Sequence, residues 1–242
     1  MPAFYCPPED IKGDTLLLTG EEAHHLTRVM RHRVGDVVAV VDGFGGEYDA
    51  CVETLSPERV ECRIKARRRR TAEPIAQVVL AQALAKGAHF DLVVEKATEV
   101  GVAGILPMTT ERTVVVLEEE GRRERWRKIA ISAMKQSERS VLPAIEKVCE
   151  FRDVVLRAKE FDLALLAWED ERQKLRDLMR PKKEIRRVLI LVGPEGGFSQ
   201  EEVSLAQSRH IATFSMGTRK LRTETAGVLA TALVLHELGD LG

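Results

Sequence analysis

Residues 188–202 read VLILVGPEGGFSQEE, and this stretch decides the fold class. Its first five residues form an unbroken run of branched apolar side chains, which suits a short strand buried on both faces. Gly193, Gly196 and Gly197 then allow a tight turn in which backbone can approach a ligand closely. Ser199 with Glu202 three residues later is a capping box, so a helix starts there. A buried strand that turns on glycines into a capped helix is half of a βαβ unit. It implies a mostly parallel sheet covered by helices on both faces.

The alternation continues outward from this unit. Upstream, strands are predicted over 75–84, 104–108, 144–148 and 163–168. Helices are predicted over 88–99, with Phe90, Val93, Val94 and Ala97 on one stripe, and over 122–138, with Trp126, Ile129, Ala130 and Ala133 buried. Further helical segments lie near 151–158 and 171–180. Downstream, 212–216 is the last strand and 224–238 the last helix, with Thr223 as its N-cap.

Residues 1–72 have a different texture. TLLL (15–18), VVAVVD (37–42), YDACVETL (48–55) and RVECRIKA (59–66) read as strands, and residues 21–31 as one helix. In RVECRIKA, Val60, Cys62 and Ile64 face one side while Arg59, Glu61, Arg63 and Lys65 face the other. That pattern is a half-buried strand of an antiparallel hairpin, and a small β-barrel is the natural package for these pieces. The expected organisation is a barrel domain over 1–72 and an α/β domain over 73–242, with Arg67–Arg70 as exit strand and linker.

Composition narrows the function classes. The chain has 242 residues, 44% of them hydrophobic, which is enough for a real core. Its 37 Lys+Arg against 38 Asp+Glu exclude a protein held to nucleic acid by overall basicity. Local runs at 59–70 and 122–139 are nevertheless strongly basic, and most of their cations are arginine, which forks onto phosphate. No apolar run approaches the roughly 20 residues of a bilayer span, so no membrane partner is expected. The start, MPAFYCPPEDIKGD, is unlike a signal peptide, and Cys6, Cys51, Cys62 and Cys149 form no C-x-x-C pair. A reduced, cytoplasmic location follows as an expectation. The six histidines lack metal-ligand spacing, and no phosphate loop, dinucleotide fingerprint or G-x-S-x-G elbow is present. No metal is expected.

Two C-terminal segments carry the chemistry. Leu191–Phe198 leaves a strand for a helix N-terminus, and Glu195 sits where backbone N–H groups cluster. Met216–Gly227 makes the same transition, with Arg222 just before the helix. A cation is unfavourable there, which points to function, or else to an ion pair with Glu224 or Glu195.

GPEGGFSQEE (193–202) and MGTRKLRTETA (216–226) together resemble the signature pair of the RsmE family. These are SPOUT-class methyltransferases that methylate N3 of a uridine in small-subunit (16S) ribosomal RNA. The resemblance continues through 24–43, 86–115 and 125–139 in the family's order. It implies a PUA-like N-terminal barrel, a C-terminal α/β SPOUT domain with a deep trefoil knot, S-adenosyl-L-methionine as cofactor and a homodimer. The implied partner is ribosomal RNA of the small subunit, within the assembled 30S particle.

By that resemblance, backbone of Gly193, Gly196, Met216 and Leu221, with Gly217 in the same loop, would meet adenine and ribose. Leu166, Leu191 and Leu221 would sandwich the purine, and Thr225 and Ala226 would close the pocket. Arg222 and Arg139 would stabilise negative charge developing on the uracil. Glu195 is a candidate base, as are Glu138, Glu224 and a water molecule. The RNA track would comprise Arg28, Arg31, Arg33, Arg63, Lys65, Arg67, Arg68, Arg69 and Arg70 on the barrel. Lys128 and Lys135, on a polar helix face with Ser132, Gln136 and Arg139, would extend it. Glu138 stands where the family commonly has glycine, which puts a tight turn there in doubt, and Thr218 where it commonly has proline. Two other functions stay open: a non-catalytic RNA-binding protein of ribosome assembly, and a SPOUT methyltransferase acting on another RNA.

Overall fold

The computed structural model describes residues 3–69, 72–114, 119–179 and 185–241, in two compact units. The first comprises residues up to Glu73 together with Ile131–Leu142, and the second Pro74–Ala130 with Pro143 onward.

The first unit is a six-stranded sheet in the order β1-β4-β5-β6-β3-β2. Its strands are β1 (Phe4–Tyr5), β2 (Ile11–Lys12), β3 (Thr15–Thr19), β4 (Val37–Val41), β5 (Gly46–Leu55) and β6 (Arg59–Arg69). All pairs are antiparallel except β1 with β4. The alternation read in β6 is real: Val60, Cys62 and Ile64 are buried beside Leu16 and Leu18 of β3. Two irregularities in β5, at Asp49/Ala50 and Val52/Thr54, bend the sheet around this core. Helix α1 (Gly20–His24) runs into a π turn over His25–Val29, where one regular helix is predicted. Burial pushes the thiols of Cys6 and Cys62 up to about 12, so both stay protonated, and all four cysteines are free. The arginine run continues the ladder, with Arg67, Arg68 and Arg69 opposite Tyr48, Glu47 and Gly46. Arg70 lies outside the described residues.

The second unit is built on β7 (Gln77–Ala83), α2 (His89–Val100), β8 (Gly104–Thr109), α3 (Glu119–Gln136, whose residues from Ile131 belong to the first unit), β9 (Ala144–Ile145), β10 (Cys149–Glu150), α4 (Phe151–Arg157), β11 (Leu163–Ala167), α5 (Leu175–Met179), β12 (Arg187–Val192), α6 (Gln200–Ser208), β13 (Ala212–Phe214) and α7 (Thr223–Glu237). Every strand pair is parallel, in the order β10-β8-β7-β12-β11-β13, with β9 also on β8. The strand predicted over 144–148 is two short ones, each pairing with β8 at a different place. Among the described residues no helix is long and apolar enough to cross a membrane.

Three helix ends test the capping predictions. The box at Ser199 is present: its Oγ accepts from the Glu202 amide at 3.3 Å, and Glu202 accepts from the Ser199 amide at 2.9 Å. At α7 the N-cap is Arg222, not Thr223, because the Thr223 hydroxyl turns back to the Gly193 carbonyl instead of a helix amide. After α3 the chain does turn tightly at Glu138, which adopts a left-handed φ of 58° without being glycine.

Candidate active site

Because β11, β12 and β13 are adjacent and parallel, their following loops emerge at one end of the sheet, where open α/β sheets take ligands. The loop after β11 is tied to β13: the Trp168 amide donates to the Phe214 carbonyl at 3.0 Å, and the Ser215 amide to the Gln173 carbonyl at 2.8 Å. The Thr223 hydroxyl donates to the Gly193 carbonyl at 2.5 Å, which draws the start of α7 onto the loop after β12. Gly193, Gly196, Met216, Gly217, Leu221, Thr225 and Ala226 thus all fall on these loops or on the first turn of α7.

Packing explains Gly193, and backbone conformation explains Gly197 and Gly217. A Cβ on Gly193 would stand 3.3 Å from the Phe198 ring and from the Gly197 carbonyl carbon, so a side chain would push the turn apart. Gly197 takes a φ of 69°, which only glycine adopts at little cost. A Cβ on Gly217 would meet nothing within 4 Å. Leu166 and Leu191 are partners across β11 and β12 and are wholly buried with Phe198, Val203 and Ala81. Of the three leucines expected around a purine, only Leu221 is half-exposed.

Charged groups ring the same end. Glu195 is exposed and accepts from the Lys86 amide at 3.3 Å. Arg112 donates to the Gly196 carbonyl at 2.8 Å, and Glu202 accepts from the Glu111 amide at 2.9 Å. The Arg222 side chain is 79% exposed, its guanidinium 3.9 Å from the buried carboxylate of Glu224. Glu224 in turn lies 3.1 Å from Nδ1 of His89. Hydrogen bonds from Thr213 and from the Gln173 and Arg172 amides hold the Glu171 carboxyl below its usual range.

Lys86, His89, Arg112 and Glu171 are not legible in the sequence as site residues. The available signal is KGAHFD (86–91), which leaves β7 for α2 by the same strand-to-helix transition as the Gly193 loop.

The remaining expected residues belong to other surroundings. Arg139 is buried in the first unit, its Nη2 at 2.8 Å and Nε at 3.2 Å from Glu73. The other Glu73 oxygen accepts from the Ser140 and Val141 amides at 2.8 and 2.9 Å. Lys135 pairs with Glu22 at 2.5 Å, and Lys128 is exposed. Arg28, Arg31, Arg33 and Lys65 are exposed. Arg63 pairs with Glu53 at 2.5 Å, Arg67 with Asp14 at 3.0 Å and Arg68 with Asp49 at 2.5 Å. Such exposed pairs are individually weak, but phosphate must displace a carboxylate to engage these arginines. Among the described residues no cluster of His, Cys, Asp and Glu could hold a metal.

Comparison with known proteins agrees along the whole chain. The family described as RNA methyltransferase domain matches residues 71–235, and that described as RNA methyltransferase PUA domain matches residues 18–65. The chain is 30% identical over 234 residues to the ribosomal RNA small subunit methyltransferase E of Bacillus subtilis (strain 168), which covers 93% of this chain and 91% of that one. The Synechocystis protein of the same name is 32% identical over 94% of this chain and 75% of its own length. Among solved structures, the ribosomal RNA small subunit methyltransferase E from Neisseria gonorrhoeae, bound to S-adenosyl methionine, superposes with a TM-score of 0.88. Its identity is 28% over 98% of this chain and 97% of that one. A Legionella pneumophila protein in complex with the cofactor SAM gives a TM-score of 0.87 at 31% identity, over 97% and 96%.

Proposed function

The chain belongs to the RNA methyltransferase family that includes ribosomal RNA small subunit methyltransferase E, and from that premise we propose that it methylates N3 of a uridine in 16S ribosomal RNA at the expense of S-adenosylmethionine. One observation carries the reading: the Gly193 loop, the Met216 loop and the start of α7 converge at the carboxyl end of the parallel sheet, tied by Thr223 to the Gly193 carbonyl.

The residues present fit the cofactor. Gly217 leaves backbone uncovered where a flat base needs close approach, the Gly193 turn is held tight by Phe198, and Leu221 offers a half-exposed apolar surface. Thr225 and Ala226 would close the slot from α7. When bound, S-adenosylmethionine supplies an electrophilic methyl group. The chain's task is then to hold the uracil N3 in line and to accommodate charge as its proton leaves. We assign charge stabilisation to Arg222, whose guanidinium is exposed beside this loop and held only loosely by Glu224. Arg139 is committed to Glu73, and its assigned role is to hold the turn after α3. Glu195, exposed and anchored by the Lys86 amide, is the assigned proton acceptor.

We further propose that residues 1–72 bind RNA and residues 73–242 carry methyl transfer, as a cytoplasmic homodimer acting on the assembled 30S particle. A deep trefoil knot belongs to the proposal. What supports it is that β13 lies on the far side of β11 from β12, whereas α7, the next element, packs on β7 and β12. The chain therefore doubles back past the Gly193 loop.

The test is methylation of small subunits from a strain lacking this enzyme, with product nucleosides identified by mass spectrometry. N3-methyluridine is expected, and any other product would refute the specificity. Titration with S-adenosylmethionine separates the enzyme from a non-catalytic assembly factor, which would give no heat.

A further inference from the structure

Gln82 is a wholly buried polar side chain in the middle of the parallel sheet, on β7 between β8 and β12. Its neighbours Leu80, Ala81 and Ala83 are apolar, as a strand covered on both faces requires. A glutamine in that company needs a reason.

Its hydrogen bonds supply one. Nε2 of Gln82 donates to the Thr223 hydroxyl at 2.8 Å and, more weakly, to the Ala83 carbonyl at 3.3 Å, and the Thr223 hydroxyl donates to the Gly193 carbonyl at 2.5 Å. The direction is fixed, because a carbonyl only accepts. Thr223 must therefore give its one proton to Gly193 and receive one from the amide. The chain links the sheet centre, the first residue of α7 and the loop after β12, three segments far apart in sequence. All three side chains or backbone groups are buried, so water does not compete, and donors in series strengthen one another.

Oε1 of Gln82 argues against a purely structural purpose. It has no hydrogen-bond partner among the described residues and faces Gly227, where a Cβ would come within 2.2 Å. A buried acceptor without a partner lowers stability, so leucine would serve packing better.

We propose that Gln82 is a positioning residue for cofactor binding: through Thr223 it sets the separation between the Gly193 loop and the start of α7, and so the width of the slot between them. The proposal rests on the assignment of those loops to S-adenosylmethionine. Gln82 touches no substrate; it acts only through Thr223 and the Gly193 carbonyl.

The test compares wild type with Gln82→Leu, Thr223→Val, their double variant and Thr223→Ser in the full-length protein. S-adenosylmethionine affinity is measured by calorimetry, alongside melting temperature and steady-state kinetics. Losing one link is expected to weaken binding roughly tenfold, as one buried hydrogen bond does. KM for S-adenosylmethionine should rise while kcat stays within a fewfold. The double variant should be no worse than the worse single one, since both cut one chain. Thr223→Ser keeps the hydroxyl and should bind like wild type. If Gln82→Leu does not fold, Thr223→Val against Thr223→Ser decides alone. The proposal fails if affinity stays within twofold in the folded variants, whether or not they melt earlier, or if the two losses multiply in the double variant. A wild type that binds no S-adenosylmethionine would instead overturn the cofactor assignment beneath it.

Discussion

Arg139 and Arg222 carry the same charge and suit a methyl-transfer site equally well on paper, yet their surroundings are opposite. The Arg139 side chain is 3% exposed and locked onto a Glu73 that is 5% exposed, whose second oxygen takes two backbone amides. Arg222 is 79% exposed and 3.9 Å from the Glu224 carboxylate. A buried cation paired with a carboxylate is poorly placed to meet a transient anion, whereas an exposed, loosely held one is better placed. The difference teaches that equal charge does not mean equal availability: burial and a committed partner separate the two candidates.

Removing one partner of the buried pair should break the comparison most visibly. Glu73→Ala or Arg139→Ala strands a buried charge and should cost about 3–5 kcal/mol of stability. Urea unfolding measures it, and a loss under about 1 kcal/mol would mean that the pair is not structural. Arg222→Ala should leave the unfolding midpoint unchanged and S-adenosylmethionine affinity within about twofold, but lower turnover roughly 10²–10³-fold. Lost cofactor affinity with turnover retained at saturation would move Arg222 out of the chemistry.

The turn that delivers Arg139 to Glu73 allows a finer test. Glu138→Gly should stabilise the protein by about 1 kcal/mol by relieving the left-handed backbone, read as a raised melting temperature. The smallest effect concerns surface arginines that already have partners. Replacing Arg28, Arg31 and Arg33 by Ser should flatten the salt dependence of RNA binding by about 0.7–0.9 for each phosphate no longer neutralised. The same change at Arg63, Arg67 and Arg68 should do less, because Glu53, Asp14 and Asp49 already neutralise them. Equal slopes from both triples would show that these ion pairs open freely.

Much of the fold is legible in the sequence because its signals are local. The run Val188–Val192, the box Ser199/Glu202 and the alternation through Val60, Cys62 and Ile64 are each settled by residues within one element. The glycines of the Gly193 loop are legible for the same reason: backbone approach and positive φ are demands of the turn itself. Thr223 reads as a helix cap and is not one, because the competing acceptor, the Gly193 carbonyl, lies 30 residues away in the chain. Glu138 reads as an obstacle to a turn, yet its surroundings outweigh the cost of a left-handed backbone.

Periodicity, caps and turn chemistry thus suffice for the class of each domain, the order of its longer elements and the Gly193 turn. Partnership does not follow from them. That Arg139 is sealed on Glu73, that Leu166 and Leu191 are core, and that Gln82 reaches Gly193 through Thr223 all depend on which distant groups are brought within hydrogen-bond or packing distance. Secondary structure is encoded by neighbours three or four residues apart. The fate of a buried charge or amide is set by whichever strand or helix packs against it, and that choice exists only once the chain has closed on itself.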